Sequence, residues 1–161
     1  MSARRKDASP PSTGATEKDV LVGFLDYLRA SVAGKLDGVD ESAARTPGVP
    51  SGTTLLGLVR HLTAVEGFYF LQQKVGSWPA TFRCTDRDSV ASVVASYREV
   101  IDQAAVIIDA YDDLSAAAPA QPGRSSVPSM RWVLTHMIEE TGRHAGHLDI
   151  LRELIDGQTG R

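Results

Sequence analysis

Glu140 and His144 lie four residues apart in a helical pattern near the end of the sequence. Residues at that spacing differ by about 40° around a helix axis and about 6 Å along it, so a carboxylate and an imidazole there can share one divalent ion. His136 and His147 sit close by, which makes His136/Glu140 and Glu140/His147 rival pairs. A third ligand must come from another element, and His61 is the best candidate. Two neutral imidazoles and one carboxylate leave a divalent metal with residual positive charge and open positions, the arrangement of a catalytic site. Such an ion activates water or deprotonates a bound thiol.

The elements that would carry these side chains are helical. Four apolar patterns at helical spacing are separated by Pro, Gly and Ser, and no alternating segment argues for a sheet. The first runs from Thr16 to Leu36 with a stripe of Val20, Phe24, Leu25, Tyr27, Leu28 and Val32. The second runs from Thr53 to Val75, with Gly76 as its stop and with Leu55, Leu58, Val59, Leu62, Val65 and Tyr69 turned inward. The third starts near Ser89, its cap, and continues to Leu114; the fourth is capped by Ser129, extends to Ile155 and stops at Gly157. Such helices bury their stripes against one another, so the expected fold is an all-α four-helix bundle over residues 15–161. Residues 1–14 are poor in large apolar side chains and are expected to form a disordered tail.

On the fourth helix, with Met137 at 0° and steps of about 100°, Met130, Val133, Leu134, Thr141, His144, Leu148, Leu151 and Ile155 fall within about 60° of it. His144 therefore belongs to the buried stripe and Glu140 to its flank, with His147 and His136 further out. That order ranks Glu140/His144 above its rivals. Plainer readings exist for each residue. His61 alone reads first as a hydrogen-bonded packing residue, and Glu140 with His144 as a surface pair worth about 0.2–0.5 kcal/mol.

Composition removes several function classes. The formal net charge is −3 and the pI about 5.8, without a basic stripe, which argues against nucleic-acid binding. No apolar run approaches the roughly 18 residues of a membrane span, and no signal-peptide pattern follows the start, so a cytoplasmic protein without membrane attachment is expected. Cys84 is the single cysteine; it forms no intramolecular disulfide, and between Arg83 and Arg87 it reads as a packing residue rather than a reactive thiol.

The segment Leu56–Glu66, with Arg60-His61-Leu62 at its centre, together with Met137–Glu153 resembles the DinB-like superfamily. Within it the match is to an actinobacterial branch of mini-circle-type proteins related to the mycothiol-dependent maleylpyruvate isomerases. The resemblance covers nearly the whole chain after the tail. It implies an up-down-down-up connection of the four helices and a divalent metal, zinc or nickel, held by side chains of the second and fourth. Most members use three histidines, whereas the isomerase branch uses His, Glu and His, which falls on His61, Glu140 and His144. The isomerases' additional C-terminal domain is not in this sequence, which leaves the substrate open.

The function expected from ligands and resemblance is that of a metal-dependent S-transferase. A low-molecular-weight thiol of mycothiol type would attack an electrophilic small molecule. Arg143, beside the ligands, is the candidate anion-binding residue, against a plainer reading as an outward salt bridge. Glu66 and Asp149 are candidate acceptors for the ligand imidazole N–H groups. The competing classes are a non-catalytic metal-binding stress or ligand-binding protein and a metal-dependent hydrolase using His136 or His147 as base. Phe68 and Phe70, read as outward residues, point to a helix-mediated homodimer.

Overall fold

The computed structural model describes residues 8–12 and 14–160. The tail expected to be disordered falls partly outside them, at residues 1–7 and 13. Of its described part, the Ala8 carbonyl accepts a hydrogen bond from the Tyr27 hydroxyl at 2.9 Å. Among the described residues there are six helices and no strand, only an isolated antiparallel bridge between Ala117 and Ser129. The four long helices are α1 (Glu17–Gly34), α3 (Leu55–Leu71), α5 (Val90–Asp109) and α6 (Met130–Asp156); two short ones, α2 (Glu41–Arg45) and α4 (Trp78–Thr81), lie in segments expected to be loops. None of these helices is long and apolar enough to cross a membrane.

Local chemistry sets the helix ends. The Thr16, Thr54, Ser89 and Ser129 side chains each accept a hydrogen bond from a first-turn backbone N–H, satisfying a donor the helix cannot. Gly157 closes α6 in the left-handed conformation at φ 72°. The expected stop at Gly76 is displaced: Gln72 takes the left-handed conformation at φ 55°, and α3 ends at Leu71. The helix α5 likewise ends at Asp109, five residues before Leu114.

The core is built by α3 pairing with α5, α1 with α6, and α3 with α6. The stripe on α6 is buried at Met130, Val133, Leu134, Met137, Thr141, His144, Leu148 and Leu151, with Ile155 half-buried. The stripe on α1 is turned from its expected position. Leu25 and Val32 are buried, but Arg29 and Ala33 complete the inner face, while Val20 is 46% and Phe24 40% exposed. The helix α3 is enclosed on nearly all sides, so Phe68 and Phe70 are core residues at 5% and 1% exposure. The outward aromatic face that pointed to a homodimer is therefore absent.

Buried apolar residues form two clusters. One gathers Leu55 to Leu62 of α3 with Ala145, Leu148 and Leu151 of α6; the other gathers Val65 to Phe70 with Met130 to Met137. Polar side chains occur where the two halves meet. Arg29 falls between Leu25 and Val32 on α1, and Glu140, Thr141 and His144 fall between Met137 and Ala145 on α6.

Candidate metal centre

His61 of α3 and Glu140 and His144 of α6 come together in this polar layer, with one ligand atom from each lying within 4.8 Å of the others. Both histidine residues are buried, at 5% and 8% exposure. Glu140 Oε1 is 3.3 Å from His61 Nε2 and 3.1 Å from His144 Nε2. Among the described residues this is the one His/Cys/Asp/Glu group of three or more with that closeness.

The short helix α4 fixes how His61 presents itself. Thr81 Oγ1 lies 2.6 Å from the Trp78 carbonyl and 2.7 Å from His61 Nδ1. A hydroxyl has one proton, and a carbonyl can only accept, so the Thr81 O–H is committed to Trp78. His61 Nδ1 must then carry a proton and donate it to Thr81. In the neutral ring this leaves Nε2 as a bare lone pair facing the Glu140 carboxylate. Two acceptors opposed at 3.3 Å repel unless a cation or proton lies between them. At His144, Nδ1 lies 3.3 Å from His147 Nδ1, and with His147 accepting, His144 Nε2 is likewise free for an ion.

Electrostatics favour the same state. Burial lowers both imidazoles below their ordinary pKa, with Glu140 opposing only in part. Burial works to raise the Glu140 carboxyl, but the two imidazoles beside it more than offset that and hold it below the usual carboxylate range. At neutral pH all three groups are thus in their metal-donor forms, so the residues fit a divalent ion.

Aromatic packing holds the site. The Phe82 ring stacks on His61 with centroids 3.8 Å apart and planes 12° apart, and Trp78 meets His61 edge-on at 6.1 Å. Gly57 makes that stacking reachable, because a Cβ there would collide with the Phe82 carbonyl oxygen. One side of the ligand set opens into a cleft of about 360 Å³ lined by His61, Tyr69, Trp78, Arg124, His136 and Glu140. Two larger clefts among the described residues are lined by none of the three ligands.

The other candidates are placed as follows. His136 lines the cleft, stacked on Trp132 at 4.9 Å and with Nδ1 3.3 Å from Glu139, but is outside the three-ligand group. Arg143 extends outward with its side chain 64% exposed, 3.9 Å from Glu139, and does not line the cleft. Neither expected imidazole partner acts as one: Glu66 makes a two-pronged ion pair with Arg29 at 2.7 and 2.6 Å, and Asp149 pairs with Lys35. Cys84 is half-buried; burial and Asp88 push its thiol up against Arg45 and Arg60, the arginines that reach it in place of Arg83 and Arg87. Sequence reasoning missed Thr81, Phe82, Tyr69 as a cleft residue, and Arg124.

A family model described as mycothiol S-transferase matches residues 20–157. The chain belongs to the mycothiol S-transferase family. That family is a member of the DinB-like superfamily, and its match runs from within α1 through the end of α6, including all three candidate ligands and the cleft. A comparison with curated proteins found no match. The family implies a thiol and small-molecule substrates, and the structure supplies a His-Glu-His site beside an open cleft.

Proposed function

We propose that this chain is a divalent-metal-dependent S-transferase that joins a low-molecular-weight thiol of mycothiol type to an electrophilic small molecule. His61, Glu140 and His144 hold the ion, zinc or nickel, and residues 15–161 act as one DinB-like domain with the up-down-down-up connection, preceded by a tail. Bound there, the ion supplies Lewis acidity that makes a coordinated thiol a thiolate at neutral pH. The protein's own residues do the rest. Thr81 holds the His61 tautomer, Phe82 and Trp78 fix the ring and keep water from its buried face, and the cleft admits the second substrate.

The observation that carries this reading is the His61 Nε2 lone pair set against the Glu140 carboxylate at 3.3 Å, in a chain of the mycothiol S-transferase family. An open cleft against the ligands favours turnover over a sealed binding or structural ion. The test is elemental analysis of the untagged protein and of His61→Ala and Glu140→Ala, followed by mass spectrometry of mycothiol incubated with electrophiles. Near-stoichiometric metal that disappears in both variants, with conjugates formed only by the wild type, is expected. Absence of metal even after incubation with excess divalent ions overturns the proposal.

A further inference from the structure

The metal-side cleft is continuous in its lining with a second cleft of about 350 Å³, because Tyr69 and Arg124 line both. Arg124 comes from the loop between α5 and α6, where Gly123 turns in the left-handed conformation at φ 76° and the Arg124 N–H donates to the Gln121 carbonyl at 3.2 Å. Most arginines near the helices are committed. Arg29 and Arg131 grip carboxylates, Arg60 donates to the carbonyls of Ala80, Thr81 and Arg83, and Arg152 donates to those of Lys35 and Asp37. The Arg124 guanidinium makes no hydrogen bond or ion pair with any described residue, and neither does the Tyr69 hydroxyl. Both residues line the cleft that also contains Glu140.

The two residues line the same clefts, and Arg124 is close enough to act electrostatically on the Tyr69 phenol. Burial raises the Tyr69 phenol, with Arg124 opposing and Glu140 adding, so the hydroxyl stays a donor at neutral pH. A planar carboxylate suits a guanidinium and a neighbouring O–H. The walls next to them are flat and aromatic: Trp132 stacks on His136 with planes 25° apart, and Tyr69 meets His136 edge-on at 5.1 Å.

We infer that Arg124 and the Tyr69 hydroxyl bind the carboxylate of the electrophilic co-substrate, so that the site takes small planar molecules carrying an acid group. The inference rests on the S-transferase reading. It assigns the acid to the partner of the thiol and makes Arg124, not Arg143, the specificity-determining cation.

Direct binding tests it without requiring turnover. Trp78 and Trp132 are the only two tryptophans, and each lines one of the two clefts, so intrinsic fluorescence reports occupancy. The purified full-length protein, with its metal content measured, is titrated with trans-cinnamate and with cinnamamide, its neutral isostere. A preference for cinnamate of about tenfold is expected, as for a charge-assisted hydrogen bond. Arg124→Ala should bring it within about twofold, Arg124→Lys should retain part of it, and circular dichroism should show both folded, since Arg124 is exposed. Equal affinity for acid and amide, no binding of either, or a preference that survives Arg124→Ala through direct ligation of the metal would each overturn the inference. So would an Arg124-dependent preference shown by N-acetylcysteine over its methyl ester and not by cinnamate, which would place the acid on the thiol. Failure of the S-transferase reading shows separately, as absent metal or absent conjugates.

Discussion

Glu66 and Glu140 are two carboxylates in the same polar layer, held in opposite ways. Glu66 is fully buried and meets the Arg29 guanidinium through two short parallel bonds, the geometry of an ionised pair. Burial pushes its carboxyl up against the pull of Arg29, and burial would lower Arg29 were it not held protonated by Glu66. Glu140 keeps 16% of its side chain exposed and faces two imidazoles that burial keeps neutral. One carboxylate has its cation built into the chain; the other has none among the described residues and faces two imidazoles, the donor set of the proposed metal centre. The first arrangement ties α1 to α3. The second, on the proposed reading, gains its compensation only when an ion is bound.

The comparison breaks most visibly at the closed pair. Removing one partner of a buried ion pair leaves the other uncompensated, so Glu66→Ala or Arg29→Ala should cost about 3–5 kcal/mol in urea denaturation. The double replacement Arg29→Met with Glu66→Leu should recover most of that loss, because an apolar pair carries no desolvation penalty. Single variants that unfold at the wild-type midpoint would show that the pair is dispensable.

At the open site the sign reverses. Glu140→Ala should leave the metal-free fold close to wild type in stability, since it removes a carboxylate that no built-in cation compensates. Adding zinc at about 1,000 times its dissociation constant should stabilise the wild type by about 4 kcal/mol and the variant by little. Differential scanning calorimetry with and without the ion checks both halves. A zinc shift of wild-type size in Glu140→Ala would remove Glu140 from the ligand set. Thr81→Val is the smaller companion change. It keeps shape but removes the acceptor for His61 Nδ1–H, and metal affinity should fall about 10–100-fold without loss of fold. Competition against a chromogenic chelator measures this, and unchanged affinity would mean that the tautomer is set without Thr81.

The open site was more legible in the sequence than the closed one. Glu140 and His144 stood out because helical angle places residues on a face, and α6 has one wet side for that rule to act on, whereas His61 was singled out as a partner from another helix and by the family resemblance. The same rule failed where its assumption failed. The helix α3 is buried nearly all round, so an outward face for Phe68 and Phe70 did not exist. Arg29 was passed over because a charge counts as solvent-facing until its partner is known, and Glu66 lies 37 residues away. Ser89, Ser129 and Gly157 ended helices as their chemistry dictates, whereas Gly76 was bypassed because Gln72 took the left-handed turn first. Thr81, Phe82 and Arg124 could not be found by periodicity, since a four-residue helix and a loop have none. The one local signal was Ser77-Trp78-Pro79, a serine followed by proline in a first helical turn.

A third carboxylate completes the gradation and carries the smallest prediction. Glu139 is next in sequence to Glu140 and has its own cation, Arg143, at i+4 and 3.9 Å, with both side chains more than half exposed. Water already solvates both charges, so fixing them together gains little and loses side-chain entropy. Arg143→Ala should therefore change unfolding free energy by no more than about 0.5 kcal/mol. It should also leave metal content and the preference for cinnamate over cinnamamide untouched, because Arg143 does not line the cleft that Arg124 enters. The two arginines thus separate adjacency in sequence from adjacency in space. If Arg143→Ala abolished the carboxylate preference while Arg124→Ala spared it, the acid would be read from the outer face of α6, and the cleft would have to be reassigned to the thiol.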